Sequence, residues 1–154
     1  MGLNLGEKTN LGYLVILRLW IGSYLLYQGS RKFLRDFPNA DWVTRQIGEM
    51  DKVELFSWYK SFLMNVVIPN RELFGYLVMY GEILIGICLI IGLLTRFSSA
   101  VGIFVFLNYM LGPGMARGGA TSGQTQTFFV AMIVLFLTNP GRTLGVDGLL
   151  FKRR

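Results

Sequence analysis

The sequence predicts an all-α fold, an integral membrane four-helix bundle with an amphipathic, interfacial helical segment between its first and second spans. Three observations carry that expectation. The stretch Leu73–Leu94, LFGYLVMYGEILIGICLIIGLL, holds a single charge, Glu82. As a helix it would run about 33 Å, enough to cross a hydrocarbon core of roughly 30 Å. Apolar residues make up 53% of the 154 positions and the mean hydropathy is +0.48, above the range of soluble domains. They fall in blocks rather than evenly along the chain. Residues 1–154 have the length of one domain.

The first span is expected at about 11–29, LGYLVILRLWIGSYLLYQG, with Arg18 inside it. Arg18 interrupts the apolar run and no small-x-small cleavage site follows, so the segment reads as a mature helix rather than a signal peptide. At about 100° per residue Arg18, Gly22 and Gly29 share a face, with Lys32 near it at the helix end. Glycines beside a charge let a second helix come close. Trp20, Tyr24 and Tyr27 form a separate stripe, read as lipid-facing or core aromatics.

Residues 33–71 form the long connection. Pro38-Asn39-Ala40-Asp41 is a turn with Asp41 as a helix N-cap. From about 41 to 67 apolar residues (Trp42, Ile47, Val53, Phe56, Trp58, Tyr59, Phe62, Leu63, Val66) recur among charges. The segment is too charged to span. It reads either as amphipathic helix lying in the interface, tryptophans at headgroup depth, or as an extramembrane helical cap packed on the bundle. Ile68-Pro69-Asn70 breaks the chain before the second span, about 73–94, where Gly75, Glu82 and Gly86 share a face. The third, about 97–111, has Ser98 and Gly102 as a small-xxx-small pair and Asn108 near its far end, and Gly112-Pro113-Gly114 stops it. The glycine-rich loop that follows lacks the GxxxxGK[ST] pattern of a phosphate cradle. The fourth span, about 124–138, begins with Gln124, Thr125, Gln126 and Thr127, which need shielding by protein or an interfacial position. Asn139-Pro140-Gly141 ends it before a short amphipathic tail.

Composition excludes several chemistries. The formal charge of +6 comes from residues flanking apolar spans, which reads as topology signals and lipid-headgroup contacts rather than nucleic-acid binding. There is no histidine, hence no usual haem, zinc or copper ligand, and no metal site is expected. The one cysteine, Cys88, rules out a dithiol cycle within the chain and reads as a small packing residue. With four spans, Lys8, Arg96, Arg142, Lys152, Arg153 and Arg154 fall on one side, and the density of the basic tail places both termini in the cytoplasm.

Only Arg18 and Glu82 carry full charge within the predicted spans. Counted from matching helix ends they lie about 10 Å and about 18 Å deep, an offset that two long side chains bridge. They are therefore expected to pair across the glycine-lined faces, either as an ion pair that orients the helices or, with Asn108, Tyr80 or Gln28, as the polar end of a small-molecule pocket. No catalytic residue is assigned.

The segment LRLWIGSYLLYQGSRKF (17–33) resembles the opening motif of DoxX-family membrane proteins, an Arg in the first helix and a Gly-x-x-Lys at its end, here Gly29-Ser30-Arg31-Lys32. Residues 58–112 resemble the DoxD-like branch, known as a thiosulfate:quinone oxidoreductase membrane subunit, most specifically in Gly81-Glu82 and in Gly-Leu-Leu-Thr-Arg at 92–96. The ending NPGRTLGVDGLL (139–150) is also similar. Together these stretches cover most of the chain, except 34–57 and 113–127. It implies a four-helix membrane bundle with Arg18, Lys32, Glu82, Arg96 and Asn108 at matching motif positions. It implies a second subunit as partner. The leading functional expectation is a membrane subunit associated with quinone-linked electron transfer, with nothing bound covalently and quinone or lipid as the candidate ligand. The alternatives are a non-catalytic accessory subunit packed against a larger respiratory or photosynthetic complex, and a small proton-coupled transporter using Glu82. Four spans, no evident inverted repeat and a single intramembrane acid weigh against the transporter. Membrane lipids and a larger membrane protein complex are the expected partners.

Overall fold

The structure is a computed structural model, and it describes residues 12–35, 44–45, 47–48, 56–114 and 119–150. Among these every regular element is helical. Helix α1 is Leu14–Leu34, α2 is Ser57–Phe62 continued by a π-helical turn Leu63–Val67, and α3 is Arg71–Ile91. Helix α4 is Thr95–Tyr109 with a π-helical turn Met110–Gly114, α5 is Gly119–Thr138, a 3-10 turn covers Pro140–Arg142, and α6 is Val146–Leu150. The expected N-cap Asp41 and Trp42 lie outside the described residues, as does the loop at 115–118.

Two boundaries differ from expectation in ways that matter. Helix α1 does not end at Gly29 but runs one and a half turns further. Lys32 is therefore a helical residue with a fixed direction, and with Arg31 it places positive charge in the last turn, where the helix dipole favours it. Helix α5 begins at Gly119 rather than 124, because the polar residues of its first turns bond along the helix. Thr127 Oγ1 donates to the Gly123 carbonyl at 2.9 Å and Gln126 Nε2 to Ser122 Oγ at 3.4 Å.

Helices α1 and α3 pack against each other, α4 packs on both α3 and α5, and α5 touches α1. Glycines set the spacing. A Cβ on Gly22 would come within 3.0 Å of the Gly86 carbonyl oxygen, one on Gly86 within 2.7 Å of the Leu26 nitrogen, and one on Gly29 within 3.0 Å of the Ile83 nitrogen. The two backbones therefore touch, as the shared glycine faces predicted. Gly102 on α4 similarly receives the Met132 side chain of α5. Ile21, Leu25, Ile85, Leu89, Phe106, Phe128, Met132 and Leu135 fill the centre between the four helices.

Helix α2 packs on the bundle through one face. Tyr59, Leu63 and Val67 are buried with Ile47 against Phe74 and Leu111, capping one end of the core. Tyr59 donates its hydroxyl to the Asn108 carbonyl at 3.3 Å. Burial raises the Tyr59 pKa, so it remains a donor through the neutral range. The other face of α2 exposes Phe56, Trp58, Phe62 and Val66.

Among the described residues one helix, α3, is long and apolar enough to cross a membrane, and residues 122–138 of α5 form a shorter apolar helix. Helix α1 carries Arg18, Arg31 and Lys32, and α4 has 15 residues.

Candidate functional site

The packing of α1 on α3 decides which charges meet. With Gly22 against Gly86 and Ile90, and Gly29 against Met79 and Ile83, the level of Glu82 on α3 falls beside Gln28. The level of Arg18 falls beside Gly92. About 15 Å of helix separates the two. The expected Arg18–Glu82 pair does not form, because the ends of α1 and α3 are not level. The depth of each residue below its own helix end is a poor guide to their separation.

Glu82 instead meets Lys32. The Lys32 Nζ stands 2.6 Å from Glu82 Oε1, with Glu82 2% exposed. Tyr109, at the end of α4, donates its hydroxyl to the same Oε1 in a short hydrogen bond. It accepts from Lys32 Nζ at 2.8 Å. Three helices thus each supply one member of a closed cluster of cation, carboxylate and phenol. A carboxylate at the centre of an apolar helix is tolerated only with such partners. Among the described residues Glu82 Oε2 is buried and receives no hydrogen bond from the protein.

A second polar group adjoins this cluster. Tyr24 of α1 accepts hydrogen bonds from Gln28 Nε2 and from Gln124 Nε2 on α5, each at 3.1 Å. Its ring stacks on Phe128 at 4.4 Å between centroids. The aromatic stripe expected on α1 is therefore divided: Tyr24 turns into the core while Trp20 and Tyr27 face outward.

Of the six residues that the sequence nominated, the structure brings together Lys32 and Glu82, with Gln28 beside them. Tyr80 is half exposed and stacks on Tyr76 at 6.1 Å. Asn108 turns its Nδ2 back to the Phe104 carbonyl at 2.8 Å. Tyr109, the neighbour of Asn108, was missed. The signal for it was present, since Ser98, Gly102, Phe106 and Tyr109 recur at helical spacing and the first three are buried.

Arg18 belongs to a separate cluster at the other end of the molecule. It is 3% exposed, and Nη1 donates to the Pro140 carbonyl at 3.4 Å. A Cβ on Gly92 would collide with its guanidinium, and one on Gly145 would lie 2.8 Å from Nη1. Beside it Asp147 of α6 binds the turn between α3 and α4. Its Oδ1 accepts from the Leu94 nitrogen at 2.7 Å and its Oδ2 from the Thr95 nitrogen at 2.8 Å. The Asp147 nitrogen donates to the Gly92 carbonyl at 2.9 Å. That carboxylate satisfies orphan donors at the N-terminus of α4 from a distant part of the chain. It also holds Leu94 at φ 48°, a conformation that costs a side-chain-bearing residue about 1–2 kcal/mol. The stretches 92–96 and 139–150, far apart in sequence, are thus two halves of one clasp around Arg18.

The profile of the DoxX family matches residues 13–111, nearly two thirds of the chain, and the chain belongs to that family. The match covers Arg18, Lys32, Glu82 and Tyr109. No curated protein and no solved structure matches.

Proposed function

We propose that this DoxX-family chain is a multi-pass membrane protein, its helices α1, α3, α4 and α5 embedded in lipid, and that it serves quinone-linked electron transfer as a membrane subunit of an oxidoreductase. The observation that supports embedding is the outer face of α3. Leu73, Leu77, Tyr80, Leu84, Ile87 and Ile91 are all exposed and follow one another at steps of three and four residues, a continuous apolar stripe the full length of the helix. Tyr13, Ile16, Trp20, Tyr27 and Leu34 continue it on α1. An apolar stripe of this length calls for lipid or another protein over it. Both termini are assigned to the cytoplasm.

The observation that carries the functional reading is the Lys32–Glu82–Tyr109 cluster. Buried ionisable groups at the heart of an apolar bundle are costly and mark ligand or proton sites. Here a cation, a carboxylate and a phenol stand together beside Tyr24 and Gln28. They would hold the polar head of a quinone or of its quinol by hydrogen bonds while its tail lies among apolar helices. Nothing in the chain supplies a recognisable electron relay, so a partner subunit carries that part of the chemistry.

Purification in mild detergent, solvent extraction and mass spectrometry test this. Quinone recovered in near-stoichiometric amount, and depleted in Lys32→Met, supports the reading. A stoichiometric complex with a cofactor-bearing enzyme that holds no quinone, and whose activity is indifferent to Lys32 and Glu82, would overturn it in favour of an accessory subunit.

A further inference from the structure

We infer that the group received at Glu82 is a hydroxyl, so that on the quinone-linked reading, on which this rests, the site binds the reduced quinol in preference to the quinone. The argument is a count of donors and acceptors. Around Oε1 the donors are already committed: Lys32 Nζ and the Tyr109 hydroxyl both donate to it, and Lys32 also donates to Tyr109. Oε2, on a residue 2% exposed, accepts nothing from the described residues. A buried carboxylate oxygen gains from a donor and loses against an acceptor.

A quinone carbonyl offers only lone pairs, and set against Oε2 it would place two acceptors face to face. A quinol offers an O–H. Tyr24 has a separate need. Its oxygen accepts from Gln28 and Gln124, which leaves its own proton without an acceptor among the described residues. A hydroxyl can serve both groups, donating to Oε2 and accepting from Tyr24, whereas a carbonyl can serve only Tyr24. Access is marked by polarity. Gln124 is exposed, while Tyr24 and Gln28 are half-buried, a polar strip on the α1–α5 side leading from the surface toward the carboxylate.

The arrangement also dictates what Glu82→Gln does. Because two donors converge on the Oε1 position, the amide oxygen must take that place, and the NH2 group falls where Oε2 was. An unsatisfied acceptor becomes an unsatisfied donor.

The test is ligand binding by the purified full-length protein in detergent, anaerobically. The probes are a decyl-substituted benzoquinol, its benzoquinone, the dimethyl ether of that quinol, and 4-decylphenol. The quinol is expected to bind at least about tenfold more tightly than quinone or ether, the worth of one hydrogen bond to a charged group, and Glu82→Gln is expected to reverse the order of quinol and quinone. Quinone bound as tightly as quinol by the wild-type protein overturns the inference and leaves the quinone-linked reading standing. Binding of 4-decylphenol alone supports the hydroxyl assignment and removes the quinone reading. Failure of all four probes removes both. Should Glu82→Gln not fold, the ether against the quinol on the wild-type protein decides the matter.

Discussion

The pairing of Glu82 with Lys32 rather than Arg18 is open to a direct test by double-mutant cycles. Lys32→Met removes a cation 2.6 Å from Glu82 Oε1 and leaves a carboxylate buried, a loss of about 3–5 kcal/mol for a pair of this kind. Glu82→Leu removes the other partner. In the double variant no charge is stranded, so it should be much more stable than the sum of the two single losses predicts, with a coupling of about 1–3 kcal/mol. Arg18 lies about 15 Å along the bundle axis from the level of Glu82, and Arg18→Leu with Glu82→Leu should add to within about 0.5 kcal/mol. Arg18→Leu still destabilises by itself, because it empties the space between Gly92 and Gly145. The assay is equilibrium unfolding in mixed micelles, followed by tryptophan fluorescence, on the four variants of each cycle. Coupling in the Arg18 cycle as large as that in the Lys32 cycle would refute the register of α1 on α3 and the site built on it.

Tyr109→Phe deletes one donor to Glu82 while keeping Lys32, and is expected to cost about 1.5–3 kcal/mol in the same unfolding assay, less than Lys32→Met. Asp147→Ala strips the carboxylate from the Leu94 and Thr95 nitrogens. It should cost about 1–2 kcal/mol, with faster hydrogen exchange at those two amides and no change in quinone content. Gly86→Leu forces a side chain into the α1 backbone and is expected to abolish the monodisperse peak in size-exclusion chromatography. Gly81→Ala, which meets nothing within 4 Å, should be neutral or stabilise by up to about 1 kcal/mol through helix propensity.

Much of the framework was legible in the sequence, for reasons that particular residues make plain. Gly75, Glu82 and Gly86, placed on one face by spacing, are all buried. So are Arg18, Gly22 and Gly29. Helical periodicity is a local property, and a charge on an apolar face must turn inward whatever its partner. What misled was the ends. The extension of α1 to Leu34 depends on Lys32 finding Glu82 and on Arg31 complementing the helix terminus, and no local breaker announces it. Nothing in the sequence singled out Asp147 within the amphipathic tail. Its task depends on the left-handed Leu94, more than fifty residues earlier.

The sequence by itself determined that the stretches around Arg18 and Glu82 are helical, which face of those two helices turns inward and that the two charges must be sheltered, because propensity, period and desolvation act within one segment. Only the tertiary structure decided their partners. Axial register is set where Gly22 and Gly86 let two backbones interlock, and that contact carried Glu82 to Lys32 and Tyr109 and left Arg18 to the clasp at the opposite end.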